Sequence, residues 1–397
     1  MKKKIGLVPK LIMGIIAGIL IGSFAPEFLV KILVTASGLF SAFLKFVIPF
    51  IIIGFVTAGI ADLATGAGKL LGITTGIAYG STVIAGLLAF TVASIIFPSF
   101  IDPSVAPQIG DPEAGMLSPY FSIPLSPMVD VTAAIVFAFM LGLGISALRN
   151  NNKGETLYKM SQEFQEIVTK TLATIIIPLL PIYIAGTFAN ITYAGKVWSI
   201  LGVFWRVYLV VIPLHIIYIA LQFIGAGAVS GKNPFKMIKN QIPGYLTAVG
   251  TQSSAATIPV NVECAKNNGV SKEIREFCVP LCATIHLSGS IISVTSFAVA
   301  VLMMNGMDHS LTTILPFILM LGIAMVAAPG APGGAIMSAL PFLPMIGIPS
   351  DGGLASLMIA LYLTQDSFGT AANVSGDNAI AVVVDHINKK SNEKSIA

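Results

Sequence analysis

Long apolar blocks alternate along the chain with short polar or proline-rich joints, a pattern that predicts membrane-spanning helices. A helix needs about 20 residues to cross the ~30 Å hydrocarbon layer. Blocks of that size fall near 8–25, 29–60, 67–98, 118–148, 156–190, 197–229, 274–304 and 351–385. Two further apolar stretches, about 233–268 and 308–347, are broken at their centres by TQSSAAT (251–257) and APGAPGG (328–334). They read as re-entrant hairpins, because irregular backbone at membrane depth is tolerated only inside protein or beside a cavity.

Charge orders these blocks. Both ends are basic, with Lys2, Lys3, Lys4 and Lys10 at one and Lys389, Lys390 and Lys394 at the other. Lys69, Arg149, Lys153, Lys232, Lys236, Lys239, Lys266, Lys272 and Arg275 fall on the same side, whereas Asp102, Asp111, Glu113, Asp308 and Asp351 fall opposite. Lys31 and Lys196 are the basic exceptions. The excess of Lys and Arg marks the cytoplasmic side. The expected protein is therefore an all-α polytopic membrane protein with eight transmembrane helices, two re-entrant helical hairpins and both termini in the cytoplasm. Lys2–Lys4 before an apolar run imitates a signal peptide, but no small-residue cleavage site follows, and the segment SFAPEF reads as a turn after the first span.

Composition agrees: 55% of the 397 residues are hydrophobic and 10% charged, against about 25% charged in ordinary soluble domains. The net charge of +4 is spread over short loops, so no nucleic-acid partner is expected. Cys264, Cys278 and Cys282 form no metal-ligand set with the four histidines, and packing is the expected role of Cys278 and Cys282.

The chemistry concentrates in the last block, LTQDSFGTAANVSGD. Asp366, Thr370, Asn373 and Asp377 fall within roughly 60° of one another at 100° per residue, so they share one helical face. Each Asp at the centre of a span costs about 2.5–3.5 kcal/mol on insertion scales, a penalty tolerated where carboxylates face a cavity and bind cations. An intramembrane aspartyl protease is excluded, because Asp366 and Asp377 stand about 16 Å apart along one helix and cannot share a proton. No HExxH or GxSxG motif supplies another hydrolase, so no enzyme is expected. An ion channel remains the rival of another class.

Each hairpin precedes a span with polar groups at its centre, the first TIHLSGS (284–290) and the second the Asp366–Asp377 stripe. Since the hairpins enter from opposite sides, the two halves form an inverted repeat, with a substrate site expected at the interrupted helices. At these residues the chain resembles the dicarboxylate/amino acid:cation symporter family, the glutamate-transporter fold, and within it the bacterial sodium-coupled serine/threonine transporters. The resemblance implies a homotrimer in the cell's plasma or inner membrane, working as an elevator. Scaffold helices would lie in 1–66 and 101–196. The mobile domain would comprise helix three in 67–100, helix six in 197–231, hairpin one in 232–270, helix seven in 271–306, hairpin two in 307–349 and helix eight with its tail in 350–397.

The same resemblance implies a substrate site of Ser253, Ser254, Ser290, Ala331, Gly333, Asp366, Thr370 and Asn373, with Asp366 on the substrate ammonium. Sodium, with no organic cofactor, is the implied coupling ion. Its ligands would come from Cys282, His286, Asn373 and Asp377 at one site, and from Thr284, Met325, Val326 and Ala328 at another. Two departures stand out. Gly369 and Gln252 replace arginines of the acidic-substrate members, which predicts a small neutral amino acid, serine or threonine first and alanine next. His286-Leu287-Ser288 replaces an Asn-Met-Asp sequence of a third sodium site, leaving Ser81 and Thr82 without their carboxylate. His286 therefore either couples protons, which makes proton-coupled symport the alternative, or stays neutral and contributes its carbonyl.

Overall fold

The computed structural model describes residues 7–63, 68–101, 115–129, 131–195, 197–325, 328, 333–350 and 352–396. All regular structure among them is helical. Fourteen α-helices follow in order: α1 Leu7–Phe24, α2 Glu27–Leu63, α3 Gly68–Ile96, α4 Val131–Asn150, α5 Glu155–Thr171, α6 Ile177–Tyr193, α7 Val197–Ser230, α8 Pro234–Thr251, α9 Ser254–Asn267, α10 Lys272–Ile285, α11 Ser288–Met304, α12 Leu311–Met325, α13 Gly334–Ala339 and α14 Gly353–Ile396. Five helical stretches are long and apolar enough to cross a membrane: Glu27–Ala58, Leu70–Ser99, Glu155–Tyr193, Ile200–Ser230 and Lys272–Met304. Whereas the apolar window of the fifth is wholly buried, the first four carry exposed apolar side chains on their outer faces, such as Trp205, Leu209 and Ile216 on α7. That surface suits lipid rather than water.

One expected boundary moves. The apolar stretch from 118 becomes helical only at Val131, and residues 116–119 and 121–127 have no regular structure. Pro119, Pro124 and Pro127 lack the N–H a helix needs and restrict the residue before them. The block 156–190 is also not uniform. Its first part, α5, carries Lys159, Glu163, Glu166 and Lys170, and a π turn over Leu172–Ile176 joins it to the apolar α6.

α1, α2 and α4–α6 form one packed group. Helix α1 meets α6 through Gly14, Gly18 and Gly22, where a Cβ would stand 2.5, 2.4 and 2.4 Å from the carbonyl oxygens of Pro181, Ala185 and Ala189. Glycine at every fourth position thus lets the two backbones touch. Helices α3 and α7–α14 form the second group around α11, every residue of which is buried. Between the groups, the Tyr183 hydroxyl of α6 bonds the Ser356 hydroxyl of α14.

Both hairpin regions are pairs of short helices. Helices α8 and α9 are joined at Gln252 and Ser253, and their far ends meet where Lys232 Nζ donates to the carbonyls of Asn268 (2.7 Å) and Gly269 (3.0 Å). Buried amides fasten this pair to α14. Gln241 donates to Asn261 (3.0 Å), Asn378 to Gln241 (2.5 Å), and Asn261 to the Val374 carbonyl (2.9 Å). Helices α12 and α13 make the second pair. Asp308 steadies the entry to α12, accepting from Ser310 N (3.0 Å), Ser310 Oγ (3.1 Å) and Thr313 Oγ1; these donors hold its carboxyl below the usual range.

Candidate substrate and cation site

The polar stripe lies on a single unbroken helix, and Asp366, Thr370, Asn373 and Asp377 are all buried. Three features converge on it: the α8–α9 tip, the break between α10 and α11, and the start of α13. At the first, Gln252 adopts the left-handed conformation (φ 54°) and its Nε2 donates to Ser367 Oγ at 2.8 Å. That contact sets the tip at the level of Asp366. Ser253 caps α9 by accepting from Ala256 N at 3.2 Å, and Ser254, the first residue of α9, is buried.

At the second, α10 ends at Ile285 and α11 starts at Ser288, leaving His286 and Leu287 non-helical. The free N–H groups of the new helix meet Asn373, whose Oδ1 accepts from Gly289 N (2.8 Å) and Ser290 N (3.2 Å). Asn373 Nδ2 donates to Ser290 Oγ (2.9 Å), which also accepts from the Tyr362 hydroxyl (2.9 Å). The Asn373 amide thus fills the place at this helix start that an anion would otherwise take.

At the third, Gly333 adopts φ 76° and donates its N–H to Asp366 Oδ2 at 2.8 Å. Thr370 donates to Asp366 Oδ1 at 3.3 Å. Asp366 therefore links the stripe directly to the second helical pair. Ala331, expected beside Gly333, lies outside the described residues, as do Pro329, Gly330 and Pro332 of the same tip and Val326 of the second cation set. Gly369 packs on α11, where a Cβ at Gly289 would stand 2.2 Å from the Gly369 carbonyl oxygen.

The expected cation ligands divide. Around Asp377, Oδ1 lies 3.0 Å from His286 Nδ1, while Oδ2 is buried with no hydrogen-bond partner among the described residues. The Cys282 carbonyl accepts from His286 N at 2.9 Å, at the end of α10. A bare buried carboxylate oxygen beside loosened backbone suits a hard cation such as sodium. Of the second set, Met325 and Ala328 are joined, the Met325 carbonyl accepting from Ala328 N (3.2 Å), while Thr284 is exposed and donates to its own helix at Leu281 O (2.8 Å).

The His286 side chain stands against Ser81, whose hydroxyl was expected to lack a carboxylate. Its Nε2 lies 3.0 Å from Ser81 Oγ and 3.3 Å from Gln222 Nε2. Ser81 Oγ also accepts from Gln222 Nε2 (3.0 Å) and lies 3.0 Å from the Tyr218 hydroxyl. Thr82 instead turns back to the Ala78 carbonyl (2.9 Å), and Ser288 Oγ is buried without a partner among the described residues. Space for this arrangement comes from Gly376, where a Cβ would stand 2.4 Å from His286 Cε1.

Several participants escaped the reading of the sequence. Tyr208, His215, Tyr218 and Gln222 recur along α7 at helical spacing and face the site: Tyr208 bonds Thr364 (2.5 Å), and His215 Nε2 lies 2.9 Å from the Gly289 carbonyl oxygen. That stripe was a usable signal of the same kind as the one on α14.

The family model described as the sodium:dicarboxylate symporter family matches residues 7–387. Similar relatives include excitatory amino acid transporter 1 of Ambystoma tigrinum, 28% identical over 66% of this chain and 48% of the relative. Excitatory amino acid transporter 3 of Homo sapiens is 29% identical over 67% of this chain and 50% of the relative. The chain spans about half the length of the curated relatives it matches.

Proposed function

We propose, taking as premise that the chain belongs to the sodium:dicarboxylate symporter family, that it is a sodium-coupled symporter of a small neutral amino acid. Members of that family are transporters, not enzymes. Serine or threonine is the preferred substrate and alanine the next. The observation carrying this reading is the charge balance of the stripe. Asp366 offers a buried carboxylate to an ammonium, and the hydroxyls of Ser254 and Ser290 at the starts of α9 and α11, the latter accepting twice and keeping its own proton, offer donors to a carboxylate. A zwitterion satisfies both. A second substrate carboxylate would face Gly369 and Gln252 rather than cations. Burying it unpaired costs several kcal/mol, enough for ~100-fold discrimination or more.

Sodium would sit at Asp377 Oδ2 with the carbonyls of Asn373, Cys282 and His286. A second ion would use Thr284 and the carbonyls of Met325, Val326 and Ala328, a set without a carboxylate. The imidazole of His286 stands where a third ion would need room, which supports fewer ions per substrate than in acidic-substrate members. We assign eight spans, re-entrant hairpins related by an inverted repeat, cytoplasmic termini and a homotrimer in the cell membrane. Helices α1, α2 and α4–α6 are the scaffold, and the remaining helices move as an elevator with the α12–α13 tip as lid.

A thermal-shift screen of the purified protein against the twenty amino acids, with and without sodium, tests the substrate assignment. Stabilisation by serine or threonine only when sodium is present is expected; equal stabilisation by aspartate overturns it. The contact of His286 with Asp377 favours one second reading, proton-coupled symport. Substrate affinity measured against sodium at two pH values separates them: a log–log slope near zero with strong pH dependence supports the proton. Accumulation of substrate against its gradient distinguishes either symporter from a channel.

A further inference from the structure

Hairpin α8–α9 has a second polar feature, far from the stripe. At its base lies a cavity of about 400 Å³ lined by Lys232, Lys236, Asn240, Asn267 and Asn268, among others. Its walls are fixed. Lys232 bridges to the carbonyls of Asn268 and Gly269, and Asn240 Nδ2 donates to the Asn267 carbonyl (3.0 Å) and Asn268 Oδ1 (2.9 Å). Asp385, the acid whose charge reaches Lys232, is already paired with Lys389 at 2.7 Å. Lys236 and Lys239 have no ion-pair partner among the described residues, and Lys232 keeps one of its three protons free.

Beside the cavity, α8 turns an apolar stripe outward. Phe235, Ile242 and Leu246 are 80%, 49% and 61% exposed, and Lys239 lies on the same face near its start. Cationic groups at one end of an exposed apolar helix face match the amphipathic profile of a lipid. The positive end of the α8 dipole opens on the same cavity.

We propose that this corner binds one anionic phospholipid, its headgroup phosphate in the cavity against Lys236 and its acyl chains along Ile242 and Leu246. Charge complementarity selects an anionic headgroup over a zwitterionic one. Each lysine removed weakens binding by roughly fivefold. The inference rests on the topology proposed above, which puts this corner at the cytoplasmic membrane surface, but its readout is independent of substrate.

Native mass spectrometry of the detergent-purified full chain tests it, with phosphatidylglycerol, phosphatidylcholine of the same acyl chains, and inorganic phosphate as probes. We expect retained phosphatidylglycerol and little phosphatidylcholine. The Lys236→Gln/Lys239→Gln variant should retain phosphatidylglycerol about 25-fold less, and Lys236→Arg should retain it normally. Amino-acid-induced thermal shifts in each variant check that the fold persists. Equal retention of the two lipids, an undiminished double variant, or full displacement by millimolar phosphate overturns the proposal. A chain that retains phosphatidylglycerol yet is not stabilised by neutral amino acids would sink the substrate assignment and leave this site standing.

Discussion

Replacing Gly289 by alanine probes the joint between α11 and α14. An added Cβ would stand 2.2 Å from the Gly369 carbonyl oxygen and 2.6 Å from Ala372 Cβ, whereas real Cβ contacts stop near 3.0 Å. The helices must then part by most of 1 Å, and no flexible side chain can absorb the shift, because the nearer atom is backbone. Overpacking of this kind costs about 1–3 kcal/mol. Separation also loosens the Asn373 bonds to Gly289 N and Ser290 N and the His215 contact to the Gly289 carbonyl, each worth about 1 kcal/mol. Substrate affinity should fall at least tenfold, since about 1.4 kcal/mol suffices for that factor. The assay is substrate titration by thermal shift on purified protein, beside Gly80→Ala, whose added Cβ meets nothing within 4 Å. If Gly289→Ala binds substrate and melts like Gly80→Ala, the close helix contact does not hold the site together.

Asp366→Asn should abolish amino-acid stabilisation, more than 100-fold in affinity, while melting near the wild type, because an amide oxygen can still accept from Gly333 N. Asp377→Asn should remove the sodium dependence of substrate binding, read as a flat affinity against sodium concentration. Gly376→Ala should push the imidazole off Asp377, given the 2.4 Å approach to His286 Cε1; a changed sodium slope measures it. Asn378→Ala strands Gln241 Oε1 and leaves Asn268 Nδ2 with the Met237 carbonyl alone, so it should lower stability by about 1–3 kcal/mol and leave substrate preference unchanged, as a melt and the amino-acid screen would report.

The legible parts of this chain were those encoded by local rules. Helical phase alone put Asp366, Thr370, Asn373 and Asp377 on one face, and the small polar run TIHLSGS marked the loosened turn at His286 and Leu287. Hydropathy, by contrast, registered residues 118–130 as the start of a span because it weighs Tyr120, Phe121 and Ile123 without regard to the prolines among them. The Gly289–Gly369 crossing and the Ser81–His286–Asp377 chain join residues far apart in sequence, and their partners follow from packing that no local rule contains. Polar residues in α7 were passed over for a related reason: in an apolar window they weigh as dilution, and their common direction emerges only when the helix is turned against α11 and α14.

The π turn at Leu172–Ile176 lets the joined helices α5 and α6 carry one residue more than a regular helix would. Val168, Leu172, Ile176, Leu180, Ile184 and Phe188 are buried at an even spacing of four. An uninterrupted α-helix advances 40° past a full turn at each such step, so its buried line would wind off the core within a few turns. The wide turn takes up about one residue's worth of that phase error. A single deletion within it would restore a regular helix and leave everything downstream close to its present phase. A second deletion, with no wide turn left to absorb it, would rotate the rest of α6 by roughly 100°, swinging Tyr183 from Ser356 and the Ala185 and Ala189 carbonyls from Gly18 and Gly22. The wide turn thus gives the helix a tolerance of one residue and no more.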